Sequence, residues 1–211
     1  MVYLHLDFIT MKDTILKKTG DIFLKLGFKS VTMDDIANEL GISKKTIYKY
    51  FKSKEELVDE TVAVFHQTMH DAVESICAVG HNAIQENFEI RNMFKNLLKN
   101  SDDSPMYQLK KYYPKTHRKI MANEYSMFKD CILKNIEKGI HEGLYRKNID
   151  IVLTTKFYFS LAMSVHDSNL YTYHKNTLNK LETSVLEYHT RAIATSKGLT
   201  ILEEQLEKNK E

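Results

Sequence analysis

The stretch from Ser43 to Lys54 contains five lysines and no acidic residue, although the formal charge of the whole chain is only +2. Ammonium groups gathered in this way bind phosphate, and lysine also donates hydrogen bonds to the O6 and N7 atoms of guanine. A run of charge is equally typical of a solvated helix face, so the neighbouring residues must decide. The lysines are Lys44, Lys45, Lys49, Lys52 and Lys54, and they are interleaved with Tyr48, Tyr50 and Phe51.

The apolar and basic residues of this stretch separate onto two faces if it forms a helix. With Ile47 at the centre of one face, steps of about 100° per residue place Tyr50 and Phe51 beside it. The same steps place Lys45 and Lys49 on the opposite face. The pattern therefore predicts a helix with a buried apolar side and an exposed basic side.

A second short helix is predicted just before the basic one. Thr32 and Asp35 match the capping box that starts a helix, and Gly41 is a typical helix stop. Ser43 is then expected to cap the basic helix, residues 44–51. Two short helices joined by a tight turn form a helix-turn-helix, whose second helix enters the major groove of DNA.

This motif gives each exposed polar residue an expected contact with double-stranded DNA. The first residues of the second helix meet base edges, whereas Tyr48 and Lys54 are placed for backbone phosphates. The hydroxyl and free backbone N–H of Thr32 are expected to hold one more phosphate. The predicted DNA-binding residues are Thr32, Ser43, Lys44, Lys45, Thr46, Tyr48, Lys49 and Lys54.

The composition favours a nearly all-helical protein, because 7 glycines and 2 prolines in 211 residues are few for a strand-rich fold. No apolar run reaches the length of a membrane helix, and the opening MVYLHLDF lacks the basic lead of a signal peptide. That opening is expected to be a loose arm or to lie upstream of a true start at Met11. Cys77 and Cys131 are expected to be buried free thiols, and the protein is expected to be cytoplasmic.

The stretch ILKKTGDIFLKLGFKSVTMDDIANELGISKKTIYKYFKSKEEL, from Ile15 to Leu57, resembles the DNA-binding domain of the TetR family of bacterial transcriptional regulators. One departure is Lys45, where many members carry Gly or Ala, so a borrowed base-reading rule is unsafe. The resemblance implies an all-α chain with an N-terminal three-helix DNA-binding domain, residues 1–53. It also implies a larger helical regulatory and dimerisation domain, residues 54–211.

The resemblance further implies a homodimer that binds a palindromic operator. Two helices are predicted near the C-terminus, at about residues 150–171 and 176–197, and the spacing of their apolar residues supports a helix–helix seam. Two chains would build this seam as a four-helix bundle. The alternative is that the two helices bury their apolar residues within one chain. The predicted interface residues are Leu161, Val165, Leu178, Leu181, Val185 and Tyr188.

A small-molecule pocket in the C-terminal domain is also implied, and ligand binding there typically lowers DNA affinity in the family. Tyrosine and methionine residues are frequent between Tyr107 and Tyr173, which suits an apolar pocket with polar tips, although ordinary core packing explains such residues too. The predicted pocket wall is Tyr125, Phe128, Tyr158, Met163 and His166.

Two further features have less specific patterns. Leu109–Lys119 is a second basic stretch with aromatic residues, expected to be a solvated surface or, alternatively, to couple the pocket to the DNA-binding end or attract an anion. His66 and His70 stand four residues apart, as in some metal sites, but no cysteine or acidic cluster in the sequence accompanies them. No metal and no cofactor are therefore expected.

The sequence thus predicts a transcriptional regulator, a repressor released from its operator by a small-molecule ligand. The nearest alternative is a helix-turn-helix regulator controlled by a protein partner. A helical enzyme or adaptor is a remote alternative, because no phosphate loop, nucleophile elbow or paired His/Cys signature of an enzyme occurs.

Overall fold

A computed structural model describes residues 10–98, 105–165 and 175–210. The predicted arm at residues 1–9 and the predicted pocket residue His166 lie outside these ranges. No β-strand occurs within them, which confirms the all-α prediction. The helices of the described ranges are α1 Met11–Leu26, α2 Met33–Leu40, α3 Lys44–Tyr48, α4 Lys54–Ala78, α5 Ala83–Leu98, α6 Pro105–Tyr112, α7 Pro114–His141, α8 Ile151–Ser164, α9 Lys175–Ile193 and α10 Ser196–Lys208.

Side-chain caps start helices α1 and α4. Thr10 at the start of α1 forms a complete capping box with Asp13. At α4 the hydroxyl of Ser53 accepts from the backbone N–H of Glu56 at 3.2 Å, whereas the Glu56 carboxylate accepts from the backbone of Lys52. Both arrangements satisfy N–H groups that a helix start leaves without intrahelical partners.

The described chain divides into two compact units. The first comprises Met1–Met69 and Asn100–Arg118, and the second comprises His70–Lys99 and Lys119–Glu211. Since α4 and α7 each contribute residues to both units, the compact division does not follow the predicted boundary between residues 53 and 54. The boundary between residues 53 and 54 stays a prediction about where the DNA-binding domain ends and the regulatory domain begins.

The first unit has an apolar core made where α1, α2, α3 and the start of α4 meet. The Phe23 and Phe28 rings pack with their centroids 4.8 Å apart, and Phe28 meets Tyr113 edge-on at 6.2 Å. The buried core residues here include Ile15, Leu16, Ile22, Phe23, Ile36, Ile47, Phe51, Leu57 and Val58.

The second unit has its own core, which contains a buried polar network. Asn135 donates to the Glu86 carboxylate at 2.8 Å, and Lys138 donates to the same carboxylate at 2.6 Å. The hydroxyl of Tyr145 donates to Asn135 at 3.3 Å, and the Tyr145 ring lies where a side chain at Gly139 would be. The surrounding apolar cluster is Ala83, Ile84, Phe88, Ile132, Ile136, Leu144, Leu186, Ile193 and Leu202.

None of the helices in the described ranges is both long enough and apolar enough to cross a lipid bilayer.

Candidate nucleic-acid interface

The basic helix α3 forms because a polar cap precedes it and an apolar residue anchors it. The hydroxyl of Ser43 accepts from the backbone N–H of Thr46 at 3.1 Å, and the side chain of Ile47 is completely buried. The helix ends at Tyr48, earlier than predicted, and continues as a turn. Because the helical steps stop there, Tyr50 is exposed instead of lying on the inner face.

A left-handed glycine sets the turn between α2 and α3. Gly41 has φ +65° and ψ 28°, a conformation in which a side chain is strained. The backbone N–H of Ile42 donates to the carbonyl of Ala37 at 3.0 Å, which closes the end of α2. Ile36 and Ala37 are buried, so α2 supports the apolar side of α3.

Two of the predicted DNA-binding lysines keep their ammonium groups open to solvent. Lys45 and Lys49 are exposed, and neither has an ion pair within the described part of the chain. They extend from a helix whose apolar side is fixed by Ile47. An exposed basic side on a supported second helix can approach the phosphates that line a major groove.

Lys44 differs from its two neighbours because it has an acidic partner. Its Nζ atom lies 2.7 Å from Oδ2 of Asp34, which belongs to the first turn of α2. This hydrogen bond raises the pKa of Lys44 above its ordinary value. The ammonium group of Lys44 is therefore charged but shared with a carboxylate.

Lys54 lies in a structural position, which corrects its predicted role as a phosphate contact. Its Nζ atom donates to the carbonyl of Phe28 at 2.7 Å and to that of Lys29 at 3.4 Å, and it lies 5.9 Å from the centre of the Tyr113 ring. Burial lowers the pKa of Lys54. The side chain closes the end of the loop after α1 because those carbonyls need a donor.

The donors of Thr32 are also engaged, contrary to the predicted free N–H. Its backbone N–H and its hydroxyl both donate to Oδ2 of Asp35, at 2.8 and 2.7 Å. These two hydrogen bonds lower the pKa of Asp35. The capping box therefore occupies the groups that were assigned to a phosphate.

Of the other predicted contacts, Tyr48 is exposed, and the hydroxyls of Ser43 and Thr46 lie 2.8 Å apart.

The second basic stretch packs within the first unit instead of forming only a solvated surface. Leu109 is buried, and the Thr116 hydroxyl bonds the carboxylate of Asp59. Oε1 of Gln108 accepts from the backbone N–H of Lys29 at 3.4 Å. The amide of Gln108 fills the space beside Gly27 that a side chain would need. Sequence reasoning missed Gln108, since nothing in the spacing links it to Lys29, which lies 79 positions earlier.

The predicted pocket residues of the second unit fall into two groups. Tyr125 and Phe128 meet the ring of Phe159 edge-on, with centroids 5.0 and 6.0 Å away. Tyr158 stacks on His189 at 3.9 Å, while Met163 is half-buried. Phe159 and His189 were not predicted.

Burial keeps the stacked pair neutral near pH 7. It lowers the pKa of His189 to about 4 and raises that of Tyr158. Both shifts disfavour the charged form of the side chain, as expected for groups withdrawn from water. The stack therefore offers a flat, uncharged polar surface.

An arginine and a glutamate also reach into the interior of the second unit, and no sequence pattern predicted them. Arg91 donates to the carbonyl of Asn179 at 3.2 Å and to Oδ1 of Asn92 at 3.1 Å, while its buried Nε atom has no hydrogen-bond partner among the described residues. Burial lowers the pKa of Arg91 and raises that of Glu182. These groups bring hydrogen-bonding capacity into an otherwise apolar region.

The predicted interface residues are only partly at the surface. Val165 is 1% exposed and packs inside the chain, so its burial argues against a place in the seam, whereas Tyr188 is 67% exposed. The exposed apolar face of α8 is formed by Val152, Leu153 and Phe157. The remaining predicted interface residues, Leu161, Leu178, Leu181 and Val185, are half-buried.

Among the described residues, His70, Asp71 and Glu74 each offer one potential metal-ligand atom, and these atoms lie within 4.8 Å of one another. Asp71 lies 3.9 Å from Nδ1 of His70, and Glu74 lies 3.8 Å from Nε2. Both carboxylates are exposed, and exposed acidic groups in such an arrangement are common without a bound ion. Cys77 and Cys131 are half-buried free thiols whose pKa values are raised by burial.

An all-helical chain with a supported helix-turn-helix and an exposed basic second helix defines a DNA-binding regulator. The family described as "Bacterial regulatory proteins, tetR family" matches residues 15–61. The transcriptional repressor KstR2 of Mycolicibacterium smegmatis is 24% identical over 160 residues, which cover 69% of this chain and 73% of that protein. The regulator YhgD of Bacillus subtilis is 44% identical over 52 residues, covering 25% of this chain and 27% of YhgD.

Solved structures show the same fold. A transcriptional regulator from Cytophaga hutchinsonii superposes with a TM-score of 0.73 at 18% identity, covering 87% of this chain and 98% of that one. A regulator from Saccharomonospora viridis in complex with choline superposes with a TM-score of 0.66 at 16% identity, over 87% and 97% of the two chains. The N-terminal part of the chain, residues 15–61, therefore matches the TetR family of bacterial regulators, and the whole described chain has the fold of such regulators.

Proposed function

We propose that the protein is a repressor that binds a two-fold symmetric DNA site as a homodimer and leaves it when a small molecule binds the second unit. The observation that carries the DNA-binding part is the exposed basic side of α3, where Lys45 and Lys49 have no ion pair in the described chain. The name of the KstR2 relatives supports repression. A regulator of chromosomal DNA acts in the bacterial cytoplasm.

In the proposed complex, one α3 from each protomer enters the major groove. Lys45 and Thr46, in the first turn of α3, meet base edges, while Lys49 and Tyr48 contact phosphates. A two-fold dimer then reads half-sites whose centres are one helical turn of DNA apart, about 34 Å, or a multiple of that distance.

The exposed apolar face of α8 supports the homodimer. Val152, Leu153 and Phe157 lie at the surface of α8, and Tyr188 lies at the surface of α9. Symmetric interfaces between helices form when exposed apolar side chains of adjacent helices pack against the same side chains of a second chain.

The polar groups inside the second unit support a ligand site. Tyr158 and His189 form a flat neutral stack, and Arg91 offers a buried Nε donor that has no partner within the described ranges. Small-molecule sites are mostly apolar with a few such polar groups. One structural neighbour holds choline, so a chain of this fold can enclose a small molecule.

Contacts inside the first unit supply a route by which the ligand signal acts. Gln108 and Tyr113 hold the loop that follows α1, and Lys54 bonds the carbonyls of that loop. A ligand that displaces α6 by favouring a second conformation would release these contacts and change the orientation of α3. This extends the predicted coupling role of Leu109–Lys119.

The DNA-binding part is tested by selecting bound sequences from a random DNA pool and measuring affinity by fluorescence anisotropy. We expect an enriched palindrome and an affinity that falls steeply as salt rises. Failure to enrich any sequence would contradict operator binding. Native mass spectrometry of the purified protein tests the rest: the expected species is a dimer carrying a small molecule whose removal tightens DNA binding. A dimer that carries no small molecule, and whose affinity for DNA is the same before and after extraction of small molecules, would favour a regulator controlled by a protein partner.

A further inference from the structure

An acidic residue stands beside the start of the recognition helix. Asp34 and Lys44 form an ion pair at 2.7 Å, and their side chains are 63% and 45% exposed. Their helices are α2 and α3, so the pair links the two halves of the helix-turn-helix. It lies at the end of α3 that meets base edges in this class of motif.

The capping box of α2 does not depend on Asp34, because Asp35 completes it with a carboxylate that accepts from Thr32. An acid in the first turn also suits the helix dipole, and Asp35 supplies such an acid as well. A solvent-exposed ion pair such as Asp34 with Lys44 contributes little to stability, because water screens the charges and ordering the side chains costs entropy. The ion pair itself therefore adds little stability that would explain an acid at this position.

A carboxylate at a DNA-facing surface has two opposite effects. It repels phosphate and holds the neighbouring lysine, which weakens binding to DNA of any sequence. It also accepts a hydrogen bond from the N4 amino group of cytosine, which phosphates cannot offer. Lys44, held beside it, donates to guanine O6 and N7. Together the two side chains match the major-groove edge of a C·G pair.

We propose that Asp34 is a specificity-determining residue, which lowers the affinity of the protein for DNA in general and restores it only where Asp34 and Lys44 meet a C·G pair. This inference rests on the proposed DNA-binding function. It requires the ion pair to be accessible, as the exposed side chains of both residues show. Lys45 and Lys49 then supply attraction, while the Asp34–Lys44 pair supplies discrimination.

The test compares Asp34→Asn with Glu39→Gln, which makes the same change of charge elsewhere on α2. Glu39 is exposed and has no ion pair in the described residues. Affinities are measured for the duplex selected from the random pool and for a shuffled duplex of the same composition. We expect Asp34→Asn to bind the shuffled duplex roughly threefold to tenfold more tightly and to lose most of its preference for the selected one. Glu39→Gln should keep that preference.

Salt dependence identifies the role of Lys44. Freeing this lysine should steepen the plot of log affinity against log salt on the shuffled duplex by about 0.9 per protomer. The steepening should vanish when Asp34→Asn is combined with Lys44→Gln. If Asp34→Asn and Glu39→Gln behave alike while the wild type remains sequence-specific, the proposal for Asp34 is overturned and the DNA-binding function stands. A wild type without sequence preference would instead refute the proposed function.

Discussion

The two units of this protein use polar residues in opposite ways. In the first unit the ammonium groups of Lys45 and Lys49 stay in water, and the space beneath α3 is filled by Ile47 and Phe51. In the second unit, polar and charged side chains enter the interior. Burial lowers the pKa values of Arg91 and His189 and raises those of Tyr158 and Glu182, so each shift favours the neutral form of the side chain.

This difference shows how each unit can recognise its partner. DNA presents a dense array of phosphates to water, and exposed lysines that keep their charge suit that surface. A small molecule must be withdrawn from water, so its site needs neutral stacking surfaces and a few unsatisfied donors. The predictions below test this contrast by changing one side of it at a time.

The largest expected effect concerns the exposed lysines of the first unit. Replacing Lys45 and Lys49 together by alanine should weaken operator binding by on the order of a hundredfold, and the loss of the Lys49 phosphate contact should reduce the salt slope by about 0.9 in each protomer. Fluorescence anisotropy at several salt concentrations measures both. The matched control is Lys110→Ala with Lys115→Ala, an equal loss of charge from the second basic stretch, which should change affinity less than threefold. Equal losses of DNA affinity in the two double variants would show that the position of the lysines in the first unit does not matter for binding.

The next effect concerns the buried histidine of the second unit. Because the folded pKa of His189 is about 4 and that of an unfolded histidine is about 6.5, the unfolded chain binds more protons between these values. The stability contributed by neutral His189 is complete above pH 6.5 and is lost as pH falls toward 4. From pH 7 to pH 5 the wild type should lose about 2 kcal/mol through this group.

His189→Phe provides the control for this pH dependence. Phenylalanine keeps a ring against Tyr158 but does not titrate, so urea unfolding at pH 7 and pH 5 should give this variant a loss smaller by about 2 kcal/mol. Identical losses in the variant and the wild type would mean that His189 titrates in the folded protein as it does in water. The contrast between the two units would then weaken.

A third prediction concerns the apolar surface of the second unit. The Phe157 side chain is 60% exposed, so Phe157→Ser should leave the stability of the monomer nearly unchanged while raising the dimer dissociation constant by about tenfold or more. Analytical ultracentrifugation across a concentration series measures the shift. Val79→Ser removes an equally exposed apolar residue from another surface and should leave dimerisation intact. A dimer unaffected by Phe157→Ser would place the interface elsewhere.

The sequence was sufficient for the helix-turn-helix because its determinants are local. Ser43, Gly41 and Ile47 act within a few residues of one another, through a cap, a left-handed turn and one buried side chain. The exposure of Lys45 and Lys49 follows from the same helical geometry. The fold class was equally accessible, since capping residues and scarce glycine and proline favour helices throughout.

The remaining features depend on contacts between distant residues, which spacing does not encode. Lys54 reads as one more cation of the basic run, yet it bonds a carbonyl 26 positions earlier. Arg91 and His189 carry no motif, and only the fold brings them into the interior of the second unit. Val165 continues an apolar pattern, and periodicity alone cannot tell a residue buried within a chain from one buried between chains.

The last prediction concerns a position in the first unit where a polar side chain packs closely against a glycine. Gly27 has φ +79°, and a methyl group there would both strain the backbone and overlap the amide of Gln108. Gly80 has φ +89° and open space around it, so Gly80→Ala tests the backbone strain alone. We expect Gly27→Ala to lower the free energy of unfolding by about 1 kcal/mol more than Gly80→Ala does, since overlap adds to strain. Combining Gly27→Ala with Gln108→Ala should recover that difference, because the smaller side chain vacates the space. Equal costs for Gly27→Ala and Gly80→Ala would mean that Gln108 is not held against the end of α1, and the coupling route through α6 would lose its anchor.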